Sequence, residues 1–127
     1  MDFFTAPELK KEVELMVRIL GLSYIKTEQV HVFESRGSKG RAVARIWSMP
    51  HIWQLALGQK PGYCLEVIKE RFERLSGEEK RKVLIHELLH IPKNFSGALL
   101  SHNHNGRRIN RKVVDNLYLQ FSSKLRC

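Results

Sequence analysis

Cysteine is scarce in this 127-residue chain: Cys64 and Cys127 are the only two, too far apart to form a metal-binding pair. That scarcity excludes a disulfide scaffold and favours a reducing compartment, with Cys64 a small core residue and Cys127 a terminal thiol. No apolar stretch approaches the ~20 residues of a transmembrane helix, so a membrane span is not expected. The N-terminus also lacks a basic region followed by an apolar core and a small-residue cleavage site. No signal peptide is therefore expected, and the cytoplasm is the expected location. Repeats, low-complexity tracts and linkers are missing too, and the length suits a single domain over residues 1–127. Acids are the last shortage. Thirteen Asp and Glu face 22 Lys and Arg, a formal charge of +9. Beyond Leu88 the imbalance sharpens to one acid, Asp115, against seven basic residues. Such an excess favours phosphate backbones or acidic partners without specifying either.

What is present reads as alternating helices and strands. Thr5 and Glu8 fit a capping box for a helix over Ala6 to Leu20, with Leu9, Val13, Met16, Val17 and Leu20 on one stripe and Gly21 at its end. Val30 to Phe33 and Ala42 to Trp47 read as strands of a hairpin joined by a basic, glycine-containing turn. Pro50 opens a short helix that brings Trp53 and Leu57 together. Tyr63 to Ile68 gives a third strand, and Lys69 to Leu75 a helical turn or two. Ser76 and Glu79 form a second capping box, starting a helix that runs to about Ile91 before Pro92. A last helix is expected from Gly106 or Arg107 to Phe121, with Ile109, Val113, Leu117 and Phe121 inward and Val114 and Tyr118 alongside. The fold class is α+β, a small sheet with helices packed on it.

The chemistry gathers on the central helix, where His86-Glu87-Leu88-Leu89-His90 places two imidazoles four residues apart. On a helix that spacing puts them on one face, roughly 5–6 Å apart and able to bind one zinc ion. Glu87 is rotated off the ligand line, so it can act as general base toward a water activated by the metal. Two histidines make a weak site, so a third ligand must return from beyond Pro92. His104 is favoured over His102, with Asp115 a third candidate inside the last helix. The histidine left over, or Tyr63, would steady an oxyanion, or that histidine would be a solvated loop residue. These residues point to a metallohydrolase, a peptidase before other classes, carrying one Zn2+ per chain.

With those motifs in view, the chain resembles small intracellular zinc metallopeptidases of the zincin type, above all the phage and archaeal metallopeptidase group and more loosely the SprT-like family. The likeness runs through Ala44 to Trp47, Tyr63 to Leu75, His86 to Pro92, Phe95 to Gly97, and His102 to Asn110. The resemblance implies that His86 and His90 take the metal, that Glu87 activates water, and that His104 matches the histidine opening the following helix. It implies a minimal zincin-like fold, a small mixed or antiparallel sheet packed against the active-site helix. The strand Tyr63 to Val67 would then be the edge to which a protein or peptide substrate adds, the alternative being a strand fully paired in the core. The extended zincin pattern does not fit, since Lys93 and Ser96 stand where its glycine and third histidine would be.

Arg107, Arg108, Arg111 and Lys112 cluster near the expected start of the last helix and are candidate nucleic-acid contacts. SprT-like relatives often act on DNA-bound proteins, so the resemblance extends the substrate class to nucleic-acid-associated proteins. The competing reading is a basic nucleic-acid-binding module with a structural metal held by His86, His90, His102 and His104 and no hydrolytic activity.

Overall fold

The computed structural model describes residues 1–104 and 107–126, with side chains outside 103–108. Its order is β1 (Asp2–Thr5), α1 (Pro7–Ile19), β2 (Val30–Arg36), β3 (Ala44–Ser48), α2 (His51–Leu57), β4 (Tyr63–Ile68), α3 (Lys69–Phe72), α4 (Gly77–Leu88), β5 (Asn103–His104), β6 (Arg107–Arg108) and α5 (Arg111–Leu125). This is an α+β fold with a small mixed sheet packed against helices.

The sheet runs β1-β2-β4-β3. It differs from the expected layout in three places. Asp2 to Thr5, which carries no strong sequence signal, pairs antiparallel with β2 as an edge strand. β2 and β3 are not hairpin neighbours, because β4 lies between them, parallel to β2 and antiparallel to β3. The strand expected at the edge, β4, is thus the centre of the sheet, buried at five of its six residues. Fully covered strands of this kind carry no clean in–out alternation. The edge beside α4 is β3 instead.

The core forms where Val30, Val32, Leu65 and Val67 of the sheet meet three helices. Val13, Met16 and Val17 come from α1, Leu84, Ile85 and Leu88 from α4, and Val114 and Phe121 from α5. The inward stripe of α5 is rotated from the expected one, and Val113 is exposed. The helix also starts later, at an N-cap where the Asn110 side chain accepts from Val113 N–H at 3.1 Å. Arg107 and Arg108 therefore precede it, on β6.

Local capping follows the sequence at two other ends and departs from it at one. Ser76 Oγ accepts from Glu79 N–H at 3.1 Å, fixing the start of α4. Gly21, at φ +67°, follows α1, where Leu22 N–H reaches back to Val17 C=O at 2.9 Å. The cap before α1 is Ala6, with no side-chain bond, so the Thr5–Glu8 box does not form. Among the described residues no helix is long and apolar enough to cross a membrane.

Candidate metal centre

α4 ends earlier than its apolar pattern suggests, at Leu88. The chain tightens as it leaves: His90 N–H bonds Glu87 C=O at 3.1 Å and Ile91 N–H bonds Leu88 C=O at 3.1 Å, both one residue shorter than α-helical spacing. His90 nonetheless remains beside His86, with ring centroids 5.2 Å apart. The helical spacing thus delivers the imidazole pair although only the first member stands within the helix.

The chain then returns to the pair. His90 Nδ1 lies 2.6 Å from Leu100 C=O, and Leu100 N–H bonds His90 C=O at 2.7 Å. A nitrogen facing a carbonyl at that distance carries the proton, which leaves His90 Nε2 as a lone-pair donor. Two residues on, His102 Nε2 stands 3.2 Å from His86 Nε2, and its ring centroid is 4.6 Å from that of His90. Ile109 N–H bonds His102 C=O at 2.8 Å, closing the base of the short β5–β6 pair.

One ligand nitrogen from each of His86, His90 and His102 can be chosen so that all lie within 4.8 Å of one another. Nitrogens bound tetrahedrally at 2.0–2.1 Å from zinc would be roughly 3.3 Å apart, close to the His86–His102 separation. Burial holds the His86 pKa below its ordinary value, and the nearby His90 and His102 lower it further. The neutral imidazole needed for ligation is therefore favoured. These three residues can coordinate a metal ion.

Of the expected third ligands whose side chains are described, His102 joins the cluster and Asp115 does not. His104 pairs through its backbone with Arg107 on β6, and its side chain lies outside the described residues. Asp115 is engaged elsewhere, with Oδ1 3.1 Å from Lys82 Nζ, which also pairs with Glu78 at 3.0 Å. Arg111 and Lys112 are exposed on the first turn of α5, whereas the Arg107 and Arg108 side chains lie outside the described residues.

Glu87 enters from α4 beside this cluster. It lines a cleft of about 470 Å³ with His86, Val83, Val114, Val43 and the first residue of β3, Ala44. Desolvation pushes its pKa up from 4.5 to about 7, opposed in part by the electrostatic effect of the neighbouring His102.

A part of the site without an obvious sequence signal is the strap that carries the chain from His90 to His102. Tyr63, buried on β4, accepts from Gly97 N–H at 2.9 Å and donates its own hydroxyl proton to Ala98 C=O at 2.7 Å. From the other side, Gln54 Nε2 donates to Ser96 C=O at 3.1 Å and Met49 C=O at 2.9 Å. The Tyr63 hydroxyl is thus occupied in the core, not offered to an oxyanion. Tyr63→Phe would leave the buried Gly97 N–H unpaired, at about 1–3 kcal/mol. Because the strap positions His102, the variant is also expected to weaken zinc binding by roughly 10–100-fold. Chelator-competition titration and thermal melting measure the two effects separately. Unchanged zinc affinity would show that the hydroxyl has no part in positioning His102.

A three-imidazole cluster flanked by a half-buried carboxylate, on an α+β scaffold, defines a candidate metal-binding enzyme. The family model described as "Putative phage metallopeptidase" matches residues 1–121, nearly the whole chain. The protein belongs to that family. No curated protein and no solved structure matches the chain.

Proposed function

We propose that this chain is a zinc-dependent peptidase of the HExxH type with a zincin-like fold, in which His86, His90 and His102 hold the ion and Glu87 is the general base. The observation that carries the reading is the convergence of three imidazoles beside Glu87 in a cleft bordered by an edge strand. Bound there, zinc would acidify a water molecule and polarise the scissile carbonyl. Glu87 would take the proton from the attacking water and pass it to the departing amine nitrogen. β3 has no strand on its outer side among the described residues, so an extended peptide can pair with it next to Glu87. Arg111 lines the same cleft, and it and the neighbouring Lys112 are exposed; their charge would favour substrates associated with nucleic acid.

Metal content separates the candidates for the third ligand. His102→Ala is expected to lose stoichiometric zinc, measured by elemental analysis of the purified chain after dialysis, while His104→Ala keeps it. The reverse result would assign the position to His104. Full zinc retention by a His86→Ala, His90→Ala double variant would remove the metal centre, and the peptidase reading with it.

A further inference from the structure

α2 is docked the wrong way round for an ordinary surface helix. Its one buried residue is the polar Gln54, held by the Met49 and Ser96 carbonyls. The residues that would normally seek a core, Ile52, Trp53, Leu55 and Leu57, are 56–70% exposed. An amphipathic helix buries its apolar stripe, so leaving four large apolar side chains in water on a seven-residue helix needs a partner to explain it. Trp47, at the end of β3, adds to the same surface and is 49% exposed. Its indole Nε1–H donates to Glu66 Oε1 at 2.9 Å, and Glu66 itself is 1% exposed. A buried carboxylate therefore fixes the orientation of a half-exposed aromatic ring. Between α2 and the sheet lies a groove of about 350 Å³, walled by Trp47, Met49, Trp53 and Leu57.

The surroundings narrow the occupant. His31 and Lys60 line the groove, and no acidic side chain does so among the described residues. The whole chain carries +9, so an acidic partner is favoured over a basic one. A membrane is a poor match, because interfacial helices carry Lys or Arg on their polar face and α2 has neither. A second copy is poorer still: five half-exposed side chains offer less than the roughly 800 Å² per partner of a stable interface, and both copies would be strongly positive. Position supplies the last argument. β3 leads from Ala44, beside Glu87, to Trp47 and Ser48, three to four residues or roughly 10–13 Å along an extended chain.

We propose that α2 and Trp47 form an exosite that captures an apolar segment of the substrate protein, flanked by acidic residues, a few residues from the bond to be cut. The proposal rests on the peptidase reading for its place in catalysis, but the capture itself is independent of chemistry. Rigid aromatic anchors in such a groove give a short segment affinity that backbone pairing with β3 alone lacks.

The test uses the full-length, zinc-loaded chain carrying Glu87→Gln to prevent turnover. Its binding to a fluorescein-labelled peptide with a central Leu-Phe-Leu run and two glutamates at each end is followed by anisotropy. Adding Trp53→Ser and Leu57→Ser is expected to weaken binding at least tenfold, and Trp53→Phe to preserve it. Replacing the peptide's glutamates by lysines should weaken binding similarly. Circular dichroism melting checks that the variants stay folded, as expected for exposed positions. Equal binding by the double variant, or preference for the lysine-flanked peptide, would overturn the proposal. So would a double variant that loses self-association or binding to phosphatidylserine vesicles while peptide binding is unaltered. If the peptide result holds but the unsubstituted, zinc-loaded chain cleaves no peptide, the exosite stands and the peptidase reading fails.

Discussion

Glu87→Gln is expected to keep one equivalent of zinc and to lose hydrolysis of fluorescein-labelled casein by a factor of about 10²–10⁴, the usual contribution of a positioned general base. Glutamine fills the same space beside His86 in the cleft and cannot accept the water proton. Loss of folding is not an alternative explanation, because the substitution should relieve a cost. The Glu87 pKa is raised in the folded chain, from 4.5 to about 7. A raised carboxyl pKa contributes stability below about pH 4.5, and that contribution is lost as pH rises through about 7. Above that pH the metal-free chain carries a half-buried, unfavoured carboxylate that glutamine removes. The metal-free variant should thus melt no lower than its parent at pH 8. Full retained hydrolysis in zinc-loaded Glu87→Gln would sink the assignment of the base, and joint loss of zinc and activity would give Glu87 a part in holding the ion.

How much of this was legible in the sequence depends on how local each feature is. His86 and His90 are set by a four-residue spacing, which survives even though the helix ends at Leu88 and tightens before His90. Ser76, the cap of α4, is likewise a local signal. Strand order is not. The hairpin expected between β2 and β3 is displaced by β4, a segment that arrives fifteen residues after β3 ends. One sequence cue pointed that way: Tyr63-Cys64-Leu65-Glu66-Val67-Ile68 has apolar residues on both faces, as a central strand should. Glu66 obscured it, because a buried glutamate is intelligible only once Ser35 and Trp47 are seen bonding to it. α5 starts later than the boundary expected at Gly106 or Arg107, although its cap is a local feature. Asn110 is a good N-cap by residue type, yet the earlier glycine drew the boundary forward.

The candidate third ligand shows the limit most clearly. His102 and His104 are two residues apart, and no helical or strand periodicity connects either one to His86. What brings His102 to the pair is the length and path of the strap: the His90–Leu100 bonds, the Tyr63 hydroxyl at Gly97 and Ala98, and the Gln54 amide at Ser96. Trp47 and Trp53 are a second case, both exposed. Tryptophans normally pack inward, and the exposure of this pair is what separates α2 from an ordinary short helix. Both surprises meet at Gln54, whose amide docks α2 and fastens the strap at once.

That junction makes Gly97→Ala the sharpest probe of the scaffold. Gly97 is buried with φ at +93°, outside the region that a side-chain-bearing residue adopts without strain. A Cβ there would fall 2.2 Å from Gln54 Nε2 and 2.9 Å from Met49 O. The second contact is backbone, so the strap or the turn before α2 must move. Moving the strap breaks the bonds from Gly97 N–H to Tyr63 and from Gln54 to Ser96. Backbone strain and two lost buried hydrogen bonds together should cost on the order of 3 kcal/mol. For a domain of this size that lowers the melting temperature by roughly 10 °C. Zinc affinity should fall with it, since His102 lies on the same segment beyond Leu100. Gln54→Ala in the same background clears the nearest clash but not the contact with Met49 O, and is expected to recover only part of the zinc affinity. An alanine at 97 that leaves both melting temperature and zinc titration unchanged would mean that the strap does not set the position of His102.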